Sequence, residues 1–119
     1  MSANYAEVEN VFATVFRDVH GEVPFTLRFV EEIGAARACS ALGSCDFSVV
    51  PPEIEIRTGL DETNLIDVLC HEFAHLICGL AAGHDDSWET CRDRLSVRYG
   101  AHRVAQTKRS HDAETRRQE

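Results

Sequence analysis

The chain has 119 residues, of which 44% are hydrophobic, and its 12 Lys and Arg against 20 Asp and Glu give a net charge of −8. This length and composition favour one compact domain with a modest core and argue against a second domain. The sequence contains no run of about 18 apolar residues, so no membrane span is predicted. The acidic N-terminal segment lacks the pattern of a signal peptide, so we expect a cytoplasmic protein.

The charge is unevenly distributed along the chain. Residues 1–91 hold four basic and sixteen acidic residues, whereas residues 92–119 hold eight basic and four acidic residues. The acidic body disfavours nucleic-acid binding through phosphate contacts, and only the basic C-terminal segment favours a weak association with DNA. We interpret residues 1–105 as the folded domain and residues 106–119 as a charged, disordered tail.

The first two predicted elements are a helix and a strand. Apolar residues recur at three- and four-residue steps from Tyr5 to Val19, which indicates an amphipathic helix ended by Gly21 and Pro24. The segment "FTLRFVE" that follows alternates in polarity. It predicts a strand whose core face carries its two phenylalanines and its leucine.

Two further strands are predicted to complete a small sheet of about three strands. The segment "ARACSALGSC" is compatible with a helical turn, but the flanking Gly34 and Gly43 favour a short strand that ends in a turn. In "EIEIRTG", Ile54 and Ile56 alternate with charged residues, which is typical of a strand. Together with the helices, these strands predict an α+β fold.

Two helices are predicted in the second half of the chain. The central helix begins after Asp61, a suitable N-cap, and runs to about Gly79. It is apolar over much of its circumference, so we expect it to be buried. The last helix begins around Asp86, whose side chain is predicted to cap it while Glu89 reaches back.

The predicted central helix contains the pattern His-Glu-x-x-His from His71 to His75. Residues four apart on an α-helix are offset by about 40°, so the two imidazoles project side by side and are able to share one metal ion. Glu72 lies about 100° from His71, which keeps its carboxylate off the ion but near enough to act as a general base. A cation would also offset the cost of burying this charged glutamate.

A third metal ligand is predicted just after the helix. Gly79 and Gly83 allow the chain to fold back, which would return His84 to the same ion. The alternative third ligands are Asp85, Asp86 and Glu89. We prefer His84 because the aspartates already have a role in capping. Three protein ligands are typical of catalytic zinc, whereas structural zinc usually has four.

Three neighbours of the motif each have two interpretations. Asp67 is either a hydrogen-bond partner of His71 or a solvated helix residue, and the second is favoured. Trp88 is either a wall of the site or a core aromatic, and again the second is favoured. Cys70 points about 100° away from His71 on the helix, so we interpret it as a buried thiol rather than a ligand.

The segment "TNLIDVLCHEFAHLICGLAAGHDDSW" resembles the core of the SprT-like zinc metallopeptidases, in which H-E-x-x-H is followed by a glycine–histidine pair and an aromatic residue. The resemblance spans roughly residues 24–99, and its most specific part runs from Asp67 to Trp88. It includes "GAARACSALGSC" and "EIEIRTGL", which occupy the positions of two strands that precede the active-site helix in that family.

The resemblance implies zinc bound by His71, His75 and His84, with Glu72 as general base and acid in the hydrolysis of peptide bonds in proteins. The related Spartan proteins cut proteins crosslinked to DNA, but this sequence shows neither their zinc ribbon nor their separate DNA-binding module. Tyr99 is one candidate for stabilising the oxyanion, although core packing is favoured for it. An edge strand, either "ARACSAL" or "EIEIRTG", is expected to hold an extended peptide. The alternative function is a zinc-stabilised binding or regulatory module that cuts no peptide.

Overall fold

The computed structural model describes residues 4–33, 42–79 and 83–117, with the side chains of the last helix as far as Lys108. The elements in chain order are α1 (Tyr5–His20), β1 (Thr26–Val30), β2 (Gly43–Asp46), β3 (Glu53–Arg57), α2 (Glu62–Cys78) and α3 (Asp86–Arg117). Helices and a three-stranded mixed sheet make this an α+β fold, as the sequence predicts. Residues 36–41 of the predicted second strand lie outside the described residues.

The sheet has the strand order β1-β3-β2. β3 pairs in parallel with β1 and antiparallel with β2, so it is the central strand. Of the two segments considered as the edge that holds a peptide, "EIEIRTG" is therefore excluded. The physical reason lies in Ile54 and Ile56, whose complete burial suits a strand that is covered by a neighbour on each side.

Alternate side chains of β1 face the core, as the sequence predicts. Leu27 pairs in register with Ile54 and Phe29 with Ile56, so all four side chains lie on the same face of the sheet. Leu27, Phe29 and the preceding Phe25 pack against the buried core, which confirms the orientation predicted for this strand.

Gly43 begins strand β2 instead of forming a turn after a strand. It pairs with Ile56, and a Cβ atom built on it would lie 2.8 Å from Cγ1 of Val68 and 3.0 Å from Cγ of Glu72. The glycine is therefore required by the close approach of helix α2 to the strand. A lone glycine in a sequence is compatible with either use, which is why the predicted turn was wrong.

Helix α2 is fixed in the core by Phe73, which directly follows Glu72. Its ring makes edge-to-face contacts with Phe12 and Phe16 of α1 and with Phe25, at centroid distances of 4.9, 4.8 and 4.9 Å. Each such contact stabilises the fold by about 0.5–1.5 kcal/mol in addition to the free energy gained by burying the apolar surface of the rings. They set the rotation of α2 about its axis, and with it the directions of the neighbouring motif residues.

The ends of α2 are those that the sequence predicts. The Asp61 side chain accepts a hydrogen bond of 2.8 Å from the backbone N–H of Asn64. At the other end the N–H of Gly79 donates to the carbonyl of His75 over 2.7 Å, and Gly79 has a φ of 82°. A positive φ is disfavoured for other residues, so the helix stops there.

Helix α3 begins at Asp86, but Asp85 caps it. The Asp85 carboxylate accepts a hydrogen bond of 3.0 Å from the N–H of Trp88, and its carbonyl accepts from the N–H of Glu89 over 2.9 Å. The cap must precede the first helical residue, so the prediction of Asp86 as the cap was wrong by one position. Asp86 instead lies in the first turn, beside the positive end of the helix dipole.

Helix α3 continues to Arg117 and so includes most of the segment interpreted as a tail. Polar contacts join α3 to the other helices: the Tyr99 hydroxyl donates to Glu62 over 3.0 Å, and Arg103 pairs with both Glu62 and Glu7. The division into a domain and a tail stays a prediction. Among the described residues, no helix is long and apolar enough to cross a membrane.

The cap assignment is testable with two neighbouring aspartates. Asp85→Ala removes the acceptor for the Trp88 N–H, and we expect it to lower the free energy of unfolding by about 1 kcal/mol. Asp86→Ala leaves that hydrogen bond intact and should change stability by no more than about 0.5 kcal/mol. Urea denaturation of both variants measures the difference, and equal or reversed effects would contradict the assignment.

Candidate metal centre

The three histidines predicted as ligands lie together in the structure. His71 and His75 occupy successive turns of α2, and His84 reaches them from the segment just before α3. Their ligand nitrogens all lie within 4.8 Å of one another, and Nε2 of His75 is 3.2 Å from Nε2 of His84. Two nitrogens on one tetrahedral zinc, each about 2.0–2.1 Å from it, would be roughly 3.3 Å apart. The spacing of His75 and His84 therefore suits two ligands of one ion.

Two of the imidazole nitrogens bear directly on whether a metal fits. Nε2 of His71 and Nδ1 of His75 are buried and have no hydrogen-bond partner in the part of the chain that the structure describes. A buried polar atom left unpaired costs about 1–3 kcal/mol. A cation at Nε2 of His71 would satisfy that atom, so the donor set fits a metal that binds imidazole, zinc foremost.

The electrostatics of the site favour neutral imidazoles. Burial, followed by the nearby His75, His84 and Arg92, lowers the pKa of His71 to about 4. Burial, followed by His84, also lowers the pKa of His75. Both rings are consequently neutral near pH 7, and the neutral ring is the form that binds a metal ion.

Glu72 is fully buried next to the three histidines. Its carboxylate Oε1 lies 3.9 Å from Nε2 of His71, the buried nitrogen that has no hydrogen-bond partner among the described residues. Because His71 is neutral, this contact is not an ion pair. A carboxylate at this distance lies beside the ligands without taking part in the group of three nitrogens, which is the arrangement expected of a general base.

Trp88 packs against all three imidazoles. Its ring centroid lies 4.9 Å from that of His71, 5.5 Å from that of His75 and 4.3 Å from that of His84. Its Nε1–H donates to the backbone carbonyl of His71 over 3.2 Å, which ties α3 to α2. The two interpretations of this residue therefore hold together, because Trp88 is a buried core aromatic that also forms one wall of the site.

Arg92 is a neighbour of the site that the sequence analysis missed. Its guanidinium lies 4.9 Å from the centroid of Trp88, and it pairs with Asp93 over 2.8 Å. Residues Trp88 and Arg92 are four apart on α3, and this spacing is the sequence signal that could have identified the pair. A cavity of about 440 Å³ beside the three histidines is lined by Asp67, Cys70, His71, Arg92, Asp93 and Ser96.

The alternative third ligands take other positions. Asp85 caps α3, and Asp86 and Glu89 are exposed in its first turn. None of the three belongs to the group of side chains able to hold an ion together among the described residues. His84 is thus the third candidate ligand that the geometry favours.

The other neighbours follow the interpretation that the sequence favoured. Asp67 is exposed, and no hydrogen bond joins it to His71 within the described part of the chain. Cys70 is 1% exposed, and burial raises the pKa of its thiol to about 12, so it is a protonated core residue. Tyr99 donates to Glu62 at the first turn of α2, about 13 Å along the helix from His71. It is therefore a core residue and does not reach the site.

Comparisons of the chain with family models, with characterised proteins and with solved structures found no match. The resemblance to the SprT-like metallopeptidases accordingly rests on the residues quoted above and stays a prediction. The convergence of the three histidines and Glu72 does not depend on that resemblance, because it is a property of the fold.

Metal binding at this centre is testable by fluorescence, because Trp88 is the only tryptophan of the chain. Co²⁺ takes imidazole ligands as Zn²⁺ does, and its open d shell quenches a nearby indole. We expect quenching that saturates at one equivalent in the parent and is lost in His75→Ala. His102→Ala, which alters a histidine outside the group, should quench like the parent. Equal quenching in all three proteins would contradict the site.

Proposed function

We propose that this protein is a zinc-dependent peptidase of the SprT-like kind. The observation that supports it most is the convergence of three imidazoles with a buried carboxylate beside them. A set of three protein ligands is characteristic of catalytic zinc, and the fully buried Glu72 would have no purpose in a structural centre. Zinc held there supplies a Lewis acid that activates water and polarises a carbonyl group.

Side chains of the protein itself would supply the other functions that the reaction needs. His71, His75 and His84 would hold the ion through their ring nitrogens. Glu72 takes the proton of the attacking water at its carboxylate and delivers it to the nitrogen of the leaving amine. Trp88 covers the imidazoles on one side and excludes water from that side of the ligands. No side chain described so far is assigned to the oxyanion.

The substrate is proposed to be an extended peptide or an unfolded protein segment that adds to an edge of the sheet. With β3 in the centre, the edge strands of the described sheet are β1 and β2. β2 is the one that packs beside the motif, because Gly43 lies against Val68 and Glu72. A peptide paired with β2 would therefore run past the carboxylate of Glu72. Weak association with DNA through the basic C-terminal segment stays a separate prediction.

Glu72→Gln tests the proposed reaction. The amide keeps the size of the side chain but cannot take the proton, so we expect hydrolysis of an unfolded protein such as casein to fall by about 10²–10⁴-fold. Zinc content should stay at the parent level. Glu22→Gln, which makes the same change at an exposed position, is the matched control and should keep parent activity.

A different outcome would favour the zinc-stabilised module. If the parent binds zinc and cuts neither unfolded proteins nor a peptide library, or if Glu72→Gln cuts at the parent rate, then the proposed peptidase is wrong. A module would need the metal for its fold and would be indifferent to the amide at position 72.

A further inference from the structure

The contact between the start of β2 and helix α2 involves the general base itself. Gly43 has no positive φ, so its backbone conformation is open to any residue. Alanine is ordinarily more favourable than glycine inside a strand, because glycine loses more conformational freedom on folding. Space, not backbone conformation, is therefore what requires a glycine at this position.

The space available at Gly43 is bounded on two sides. A Cβ atom there would lie 2.8 Å from Cγ1 of Val68 and 3.0 Å from Cγ of Glu72, and 3.3 Å from the backbone carbonyl oxygen of Glu55. Val68 and Glu72 are four residues apart on α2, so the added atom would press on two successive turns of the helix. On the other side lies the backbone of the central strand β3, whose pairing with β1 and β2 opposes any displacement.

We propose that Gly43 is a positioning residue for Glu72: it lets β2 lie so close to α2 that the general base is held at its distance from the three histidines. The inference rests on the proposed function of Glu72. Its physical content is that the side chain of Glu72 occupies the space in which any residue larger than glycine at position 43 would place its Cβ atom, in addition to being buried in the core.

The displacement caused by one methyl group is large on the scale of catalysis. Ordinary contacts between carbon atoms are about 3.5–4.0 Å, so Cγ of Glu72 would have to move by roughly 0.5–1 Å. Cγ is bonded to the carboxyl carbon, and the displacement passes to a carboxylate that lies 3.9 Å from Nε2 of His71. A misplacement of about 1 Å in a catalytic group is enough to lower a rate about 10²-fold.

Gly43→Ala is the first test. We expect kcat to fall about 10²-fold while KM changes by less than about threefold. The zinc content should match the parent, because the three atoms nearest to the added Cβ belong to Val68, Glu72 and Glu55 and to none of the histidines. Gly100→Ala is the matched control, since a Cβ atom built at Gly100 has nothing within 4 Å, and it should keep parent activity. Parent kcat in Gly43→Ala would overturn the inference.

Double-mutant cycles test the same contact without any activity measurement. Gly43→Ala should lower the urea midpoint of unfolding. Glu72→Ala removes Cγ, so part of that loss should disappear when the two changes are combined. Glu72→Gln keeps Cγ and should give no such relief. If both combinations behave alike, the side chain of Glu72 is not what the strand holds in place, and the inference is wrong.

Val68→Ala separates the packing of the helix from the placement of the base. The pair Gly43→Ala with Val68→Ala removes the closest contact and should recover a folded protein if the single variant fails to fold. Its kcat should stay low, because the contact of 3.0 Å with Glu72 remains. Full recovery of kcat would assign the effect to Val68 and overturn the inference. If the parent cuts nothing, the proposed function fails, and the Glu72 cycles alone decide whether Gly43 positions that side chain.

Discussion

The packing of Phe73 among the aromatic side chains of α1 and the segment before β1 is the interaction on which the site depends. This ring follows Glu72 and lies two residues before His75, so its burial fixes the rotation of α2 and directs the neighbouring residues. Apolar side chains on other faces of α2 pack against the sheet and against α3. One turn of α2 thereby joins the core and the candidate metal centre, and changes to either affect both.

Burying two histidines and a glutamate in one helical turn costs free energy, and the surrounding structure offsets part of that cost. Burial keeps the imidazoles neutral, Trp88 covers them, and the hydrogen bond from its indole to the carbonyl of His71 joins α3 to the same turn. The nitrogens that stay unpaired within the described residues belong to the proposed ligands. A cation bound at Nε2 of His71 would satisfy one of these nitrogens, so metal binding and stability are expected to be linked.

The sequence predicted those features that depend on local chemistry. The periodicity of α1 and α2, the cap at Asp61 and the side-by-side placement of His71 and His75 follow from residues a few positions apart. Errors arose where distant contacts decide. In the sequence alone Gly43 indicates a turn, and its role in the close approach of helix α2 is visible only in the structure. The central position of β3 likewise depends on both of its partner strands, which are distant in sequence. The approach of His84 to the other histidines was predicted from its spacing, whereas the packing of Arg92 on Trp88 became visible only in the folded chain.

If three histidines hold one zinc ion, the zinc content of the purified chain must depend on each of them. Elemental mass spectrometry of the parent and of His84→Ala should give about one zinc per parent chain and a clear loss in the variant. His102→Ala, outside the group, should keep the parent value. A parent that contains no zinc even after supplementation, or a His84→Ala variant with the same content as the parent, would show that these three histidines do not form a zinc site.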